Sequence, residues 1–315
     1  MRISNNPVPP YTCIGINNMD IHVKSPAKLN LSLAVYPPRQ DGYHPIASCF
    51  QKINVWDSIS IRQSSTPGLT LTCTDATIPV DHTNTIAASY TKIKDRLLHG
   101  VTVHLDKKIP VGSGLGSASG NAAIFLKTMN RVYTLGYTHT ELMQLGQSIG
   151  SDVPFFIHDC TTAWVTGTGE RIEPIGSCSS SFFLLIFPNQ TISTKHIYAA
   201  YDTCGHYPNP TRAPHTPAYA TLGHNDLQPI VWQLYPIYQS LYNHWMQHHP
   251  ESKVYLTGSG GCLFIPATDA AAVDRYYATA KALWPSFWIK TVSVPSPNAK
   301  TDFFDSDSGV SQSFF

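Results

Sequence analysis

Between residues 110 and 123 the chain reads PVGSGLGSASGNAA. Gly112, Gly114 and Gly116 strip every second position of its side chain, while Ser113, Ser117 and Ser119 supply hydroxyls. The stretch follows a segment that predicts a strand and precedes one that predicts a helix. In that setting backbone N–H groups and a helix N-terminus converge on one point, which suits an anion, most simply a phosphate. Glycines let the backbone approach closely, and the hydroxyls serve phosphate oxygens or a metal. An ordinary glycine-rich strand-to-helix turn has the same spacing, and the loop alone does not separate the two. Two familiar phosphate loops are excluded. A Walker loop needs Gly-Lys-Ser/Thr at the helix start, and no lysine stands between Lys108 and Lys127. The dinucleotide fingerprint needs a glycine where Ser117 stands, and no alternating β/α half precedes it, which weakens a nucleotide-binding oxidoreductase.

The elements that hold this loop follow from periodicity. Residues 21–37 and 53–62 alternate and predict strands, as do 100–110, where Val101, Val103 and Leu105 share a face. Ile86, Tyr90, Ile93 and Leu97 predict a helix over 84–100 that stops at Gly100. Ala122, Phe125, Leu126, Met129 and Tyr133 form one face of the helix after the loop, and 138–150 is a further helix capped by Thr138 or Thr140, with Glu141 in its first turn. A Ser-rich linker then meets a buried strand in SCSSSFFLLIFP (177–188), where a domain boundary is expected. Beyond it lie a Pro-rich loop (207–218), a helical stretch from Leu227 to His248, a strand (253–261), an Ala-rich helix from Thr268 to Leu283 and a strand from Trp288 to Val294. No internal repeat is present, and the last residues read as a loose tail.

Composition narrows the partners. The 315 residues suffice for two cores. With 21 basic against 20 acidic residues, a net charge of +1 and no basic run, nucleic acid is a poor partner. Charged residues make up only 13%, so Ser, Thr, His, Asn and Pro carry much of the surface. The seven cysteines are scattered, never in the Cys-x-x-Cys spacing of a zinc ribbon or redox pair, and read as reduced, mostly buried thiols. The longest apolar run, Phe182 to Phe187, is too short to cross a membrane, and the start lacks the apolar core of a secretory signal. A cytoplasmic protein without a membrane partner is expected.

The loop GSGLGSASGNAA resembles the phosphate-binding motif of the GHMP small-molecule kinases. SPAKLNLSL, RQDGYHPI and CFQKINVWDSISI resemble the N-terminal signature of the 4-diphosphocytidyl-2-C-methyl-D-erythritol kinase family. GSDVPFF, TGTGERIEPI, PNQTISTKHIY, HNDLQP and YLTGSGGCLF follow in that family's order, so the resemblance spans about residues 22 to 265. It implies an α+β, two-lobed GHMP kinase fold. The N-terminal lobe would be like the second domain of ribosomal protein S5, the C-terminal lobe a ferredoxin-like α/β unit, and the active site would lie between them. The implied divisions are an extension over 1–20, an ATP-binding domain over 21–176, a C-terminal domain over 177–300 and a tail over 301–315.

The activity implied is ATP-dependent phosphorylation of the 2-hydroxyl of a cytidine-diphosphate-linked methylerythritol, in the non-mevalonate isoprenoid route, with Mg²⁺ bridging phosphate oxygens and no protein metal ligand assigned. By the same resemblance Asp152 is the general base, and Lys28 orients it and offsets charge on the transferring group. Singly, Asp152 could be a helix or loop cap and Lys28 a solvated strand charge. Pro110, Val111, Gly112, Ser113, Gly114, Leu115, Gly116, Ser117, Ala118, Ser119 and Gly120 carry over to the phosphates, and Asn84 to the adenine region. Asn30, Tyr43 and His44 on one wall, with Thr194 and Tyr198 on the other, carry over to the cytidine end. Tyr43 could equally be half-buried core packing. Thr257, Gly258, Ser259 and Gly260 match the third family motif, expected to be a turn packed against the phosphate loop.

Some residues depart from the pattern. Ser113, Ser117 and Ala118 stand at family glycines and Gly120 at a family serine, and any of the first three that needed φ > 0 would cost about 1 kcal/mol. A homoserine, mevalonate or galactose kinase would share the loop and third motif but lack the DGYH and NDLQP segments. A non-catalytic, ligand-binding member of the superfamily would have no need of both Lys28 and Asp152.

Overall fold

A computed structural model describes residues 20–176, 180–205, 207–208 and 222–295. The predicted extension (save Asp20), most of the Pro-rich loop, the tail, Cys13, Cys178 and the predicted boundary at 177 lie outside these residues. The first sheet holds β1 (Ile21–Val35), β2 (Ile46–Ser64), β3 (Leu69–Cys73), β4 (Gly100–Asp106), β5 (Thr162–Gly167) and β6 (Arg171–Pro174). β2 pairs β1 along most of its length, from Ile21↔Ile61 to Val35↔Ile46. Its other edge is shared, Ser58–Ser64 taking β4 and Ile46–Gln51 taking β5. That sharing is why β2 begins seven residues before its predicted start: Ala47 to Ile53 are buried at every position, covered on both faces, so alternation does not reveal them. β3, β5 and β6 were not anticipated, being short strands whose place comes from their partners.

α1 (Thr85–Ile93), α2 (Ser117–Val132), α3 (His139–Gln147) and α4 (Val153–Ile157) cover one face. α2 threads the core of this lobe, with Ala122, Phe125, Leu126 and Met129 at 0% exposure. Thr138 caps α3 through a full capping box with Glu141. The helix expected over 84–100 is shorter: α1 ends at Ile93, a 3-10 turn follows over Lys94–Arg96, and Gly100 opens β4 instead of closing the helix. A Cβ at Gly100 would stand 1.7 Å from the carbonyl oxygen of Thr66, so the glycine serves close chain packing at the sheet edge.

The second sheet holds β7 (Phe182–Phe187), β8 (Tyr255–Leu256), β9 (Leu263–Ala267) and β10 (Trp288–Ser293) in the order β10-β7-β9-β8, all antiparallel. With α5 (Thr194–Cys204), α6 (Gln228–Leu234) and α7 (Pro236–His248) between β7 and β8, and α8 (Ala270–Leu283) between β9 and β10, this is the ferredoxin-like strand order. The helix expected from Leu227 to His248 is broken at Tyr235 (φ −129°, ψ 81°), since a residue before proline is pushed out of the α region. The strand expected over 253–261 shrinks to Tyr255–Leu256, because the glycines after it turn. Of the described cysteines, Cys49 and Cys262 are buried, Cys73 and Cys160 half-buried and Cys204 exposed, so "mostly buried" overstates the case.

FFLLIF is buried on both faces. Leu184 and Ile186 point into the helices, while Phe183, Leu185 and Phe187 pack with Ala27, Leu29, Leu31 and Cys49 of the first sheet. This shared core joins the lobes, and it explains why β1 alternates to Pro26 and is then buried at every position. Phe183 and Phe264 meet edge to face at 6.0 Å, each fully buried. Phe183→Ala is therefore expected to cost about 3–5 kcal/mol in urea unfolding, and a loss below about 1 kcal/mol would mean that the lobes do not share this core.

Candidate active site

Lys28 sits on β1 between two interruptions of the β1–β2 register, at Pro26/Ala27 and at Asn30/Ser32. Proline has no N–H for the ladder, and such irregularities re-aim neighbouring side chains. Lys28 is only 3% exposed, which removes the solvated-charge alternative. Its Nζ donates to Asn30 Oδ1 at 2.5 Å, lies 3.2 Å from Asp152 Oδ2, and stands 4.7 Å from the ring centre of Phe50. Asn30 is itself tied down: its N–H donates to Thr257 Oγ1 (2.9 Å) and its Nδ2 to Ser48 Oγ (2.9 Å). Its amide thus holds Lys28 and ties β1 to β2 while Asn30 still lines the cavity. Asp152 occupies the N-cap position of α4 but makes no capping hydrogen bond, so its partly exposed carboxylate faces Lys28 instead.

In the glycine loop, Gly112, Gly114 and Gly116 have φ of 70°, 74° and 71°. Among the described residues the non-glycines with positive φ are Thr134 and Asn189, so Ser113, Ser117 and Ala118 carry no left-handed strain. The feared cost is absent because glycine remains at each left-handed position. At Gly120 a Cβ would stand 2.7 Å from the Pro26 carbonyl oxygen and 2.9 Å from Ser25 Oγ, so this departure lets α2 close on β1. At Gly114 a Cβ would stand 2.6 Å from the carbonyl oxygen of Gly260 and 2.8 Å from that of Thr257, and at Gly261 2.1 Å from that of Gly112. The Thr257–Gly260 turn and the loop are thus in backbone contact, and Gly261 belongs to the same contact though it was not anticipated.

Beneath the loop lies a charge pair that sequence reading missed. Asp57, fully buried, accepts from Lys107 Nζ (2.7 Å), from the N–H groups of Lys108 and Ile109 (2.8 and 2.9 Å) and from Asn121 Nδ2 (3.1 Å). Lys107 Nζ also donates to Ser117 Oγ (2.8 Å) and the Ile109 carbonyl (2.6 Å). The pair ties β2 to the strand end before the loop and the first turn of α2 after it. One signal was present: Asp57 falls on the parity of Ile53, Ile59 and Ile61, the inward face.

All this opens on one cavity of about 1160 Å³. Lys28, Asn30, Tyr43, His44, Asn84, residues 110–119, Asp152, Thr194, Tyr198, Gly258 and Ser259 line it, while Gly120, Thr257 and Gly260 do not. Asn84 caps α1, accepting from the Ile86 N–H (2.9 Å) and donating to the Pro79 carbonyl (2.8 Å). Tyr43 is 63% exposed, so it is not core packing. From the second lobe, Thr194 Oγ1 meets Ser259 Oγ at 2.8 Å, and the Tyr198 ring centre lies 5.1 Å from that of His44. Burial and the charge of Asp152 push the Tyr198 hydroxyl well above the ordinary phenol range, so it stays neutral.

A left-handed glycine loop opening a helix, a lysine–aspartate pair beside it and a second lobe closing the cleft define a small-molecule kinase of the GHMP class. The model of the GHMP kinases N terminal domain matches residues 84–159. The chain is 32% identical over 253 residues to the 4-diphosphocytidyl-2-C-methyl-D-erythritol kinase of Desulfotalea psychrophila, covering 78% of this chain and 84% of that one. A solved 4-(cytidine 5'-diphospho)-2C-methyl-D-erythritol kinase superposes with a TM-score of 0.70 at 26% identity, over 87% of this chain and 100% of that one. Homoserine kinase from Cytophaga hutchinsonii shares the fold, with a TM-score of 0.65 at 16% identity over 93% and 98% of the two chains. The chain belongs to the 4-diphosphocytidyl-2-C-methyl-D-erythritol kinase family.

The pair beneath the loop generates a stability test. Lys107→Met leaves the Asp57 carboxylate buried without its cation, which is expected to lower unfolding free energy by about 3–5 kcal/mol. Chemical denaturation measures it, and a loss under about 1 kcal/mol would show that the pair does not hold the loop.

Proposed function

We propose that this protein transfers the γ-phosphoryl group of ATP to the 2-hydroxyl of 4-diphosphocytidyl-2-C-methyl-D-erythritol, in the non-mevalonate route to isoprenoid precursors. The observation that carries the reading is the pairing of buried Lys28 with the partly exposed Asp152, 3.2 Å apart on the wall of the cleft that the glycine loop also lines, in a chain of this family. Among the described residues no helix is long and apolar enough to cross a membrane.

The residues present suit a nucleotide triphosphate. Three left-handed glycines leave the loop backbone bare, and the first N–H groups of α2 have no partner within the helix. They suit Mg²⁺ only as an ion carried by the nucleotide. Among the described residues no three His, Cys, Asp or Glu side chains gather at a metal site. The carboxylates on the cavity wall are Asp152, paired with Lys28, and Asp202, engaged by His44. The ion would therefore be held through phosphate oxygens, with the Ser119 hydroxyl and the Asp152 carboxylate on the same cavity wall as the protein oxygens that could join them. Bound ATP and Mg²⁺ supply the phosphoryl group and neutralise its charge.

What the chain does is orient and exchange one proton. Asp152 accepts the proton of the substrate hydroxyl as that oxygen attacks. Lys28, fixed by Asn30 and Phe50, holds the Asp152 carboxylate in place and sets a positive charge beside the transferring group. The exposed ring of Tyr43 and the neutral ring of Tyr198 offer faces for the base, with His44 beside them.

Asp152→Asn is expected to cut kcat by roughly 10²- to 10⁴-fold with ATP affinity retained, and near wild-type turnover would remove Asp152 from the mechanism. Lys28→Ala should lower kcat similarly, and the double variant should lose less than the product of the two effects because the pair acts as a unit. An ADP-release assay with the cytidine substrate, against homoserine, mevalonate and galactose, tests the substrate assignment. Faster turnover of any of the other three would overturn it.

A further inference from the structure

The two long strands of the first sheet set a second buried lysine directly against the first. Lys28 of β1 and Lys52 of β2 are partners in the antiparallel register, so both side chains leave the same face of the sheet. Like charges in that position repel, and burial costs each of them further. Lys28 has Asp152 to offset its charge. The Nζ of Lys52, a residue only 2% exposed, instead donates to the carbonyl oxygen of His158 (2.7 Å) and stands 5.2 Å from the ring centre of Phe155. Burial pushes this ammonium down to about 8. Because that value lies below the ordinary 10.5, the buried charge costs stability at neutral pH, and the cost is released only as pH rises from about 8 towards 10.5. An uncharged side chain of the same length would be at least as stable, so the ammonium is not there for stability.

What it grips is one end of α4. This helix is five residues long and buried throughout, and the bond from the His158 N–H to the Pro154 carbonyl (3.0 Å) closes it. A helix so short does not hold its own place. Asp152 stands immediately before it, against the Lys28 Nζ, and His158 immediately after it, against the Lys52 Nζ. The backbone N–H of Lys52 also donates to the Thr161 carbonyl (2.8 Å), so one residue of β2 receives the chain leaving α4 through both its side chain and its backbone. Between the two grips the rings of Phe50 and Phe155 meet edge to face at 5.2 Å, with Lys28 over the first and Lys52 over the second. α4 is thus bracketed by one ammonium at each end, and the one at its C-terminal carbonyl has the sign that a helix end favours.

We infer that Lys52 is a positioning residue for the reaction: by holding the C-terminal end of α4 it fixes where the Asp152 carboxylate stands at the other end, so that Lys28 and Lys52 together aim it. The effect on turnover rests on the role of Asp152 given under Proposed function, whereas the grip on α4 does not. The charged and titratable groups around Lys52 are Lys28 across the strand pair, Lys127 from α2, and His158, Asp159 and Cys160 after α4, with His139 of α3 against the His158 ring. Burial, with His139 and Lys52 nearby, holds the His158 imidazole below its ordinary range, and burial pushes the Cys160 thiol up, so neither of these changes charge near pH 8.

The test places Lys52→Met, which keeps the length and removes the charge and the donor, in the wild-type and Asp152→Asn backgrounds. Turnover, KM for ATP, Tm and hydrogen exchange of the peptide spanning residues 150–161 are measured. In the wild-type background kcat should fall by roughly ten- to a hundredfold, the range of a small misplacement of a reacting group. The KM for ATP should stay within about twofold, because the nucleotide loop is untouched. Tm should rise or stay within about 4 °C. Exchange over 150–161 should quicken while that of β7 and β9 does not. The wild-type kcat should fall as pH rises through about 8, and Lys52→Met should lack that fall. In the Asp152→Asn background Lys52→Met should cost less than about twofold, since no carboxylate is left to aim. A larger loss of Tm would show that the ammonium serves the fold and would overturn the inference. So would an unchanged kcat, unchanged exchange over 150–161, an alkaline fall that survives in Lys52→Met, or an equal loss of kcat in both backgrounds. Near wild-type turnover of Asp152→Asn, with exchange still quickened in Lys52→Met, would overturn the proposed role of Asp152 and leave the grip of Lys52 on α4 standing.

Discussion

A lysine ammonium that is 3% exposed must be held by partners, and the fold around the cleft is arranged to provide them. Asn30 comes from the same strand, Phe50 from the neighbouring one and Asp152 from the start of α4, about 120 residues further on. Bringing the three to one Nζ requires the two irregularities in β1, the close approach of α2 that Gly120 permits, and the placement of α4 beneath it. Each requirement is a structural feature whose loss would leave a buried charge uncompensated. The geometry of the pair and the stability of the first lobe are therefore one problem: Asp152 faces the cleft because Lys28 holds it, and Lys28 can be buried because Asp152 and Asn30 receive it.

The second constraint is steric. The loop after β4 and the turn after β8 touch backbone to backbone, so glycine stands at Gly114 and Gly261, where a Cβ would meet a carbonyl oxygen at 2.6 and 2.1 Å. The loop is thus clamped from both sides, by the second lobe above and by the Asp57–Lys107 pair below. A loop of low side-chain content is entropically costly to order. Here the ordering is supplied by neighbours that already exist for other reasons, which leaves the loop N–H groups oriented before any ligand arrives.

The same division of labour governs the end of the cavity between α5 and the β1–β2 connection. Tyr198, Thr194 and Asp202 come from α5, whereas Tyr43 and His44 come from the first lobe, so the wall exists only when the lobes share their core. The aromatic packing of Phe183 and Phe264 lies far from any chemistry, yet it sets the separation across which His44 reaches Asp202. Nothing local to DGYH or to STKHIY specifies that reach.

Much was legible in the residues alone. The glycine loop announces itself because left-handed backbone and close approach can be met by few residue types, and its place between strand and helix follows from a change of period from 2 to 3.6. A cap at Thr138 or Thr140 is local chemistry that the residues announce, and the structure selects Thr138, boxed with Glu141. Long-range facts were not accessible in this way. Pairing of β3, β5 and β6 depends on which edge is open, the break at Tyr235 on one proline in an otherwise helical stretch, and the real duty of Gly100 on a carbonyl more than thirty residues earlier. Asp57, Lys107 and Asp202 illustrate the limit: a charged side chain in a strand or helix reads as solvated until the fold shows what faces it. Sequence carries residue type and local backbone preference, while the partners of a buried charge are separated by tens to hundreds of residues and meet only once both lobes are packed.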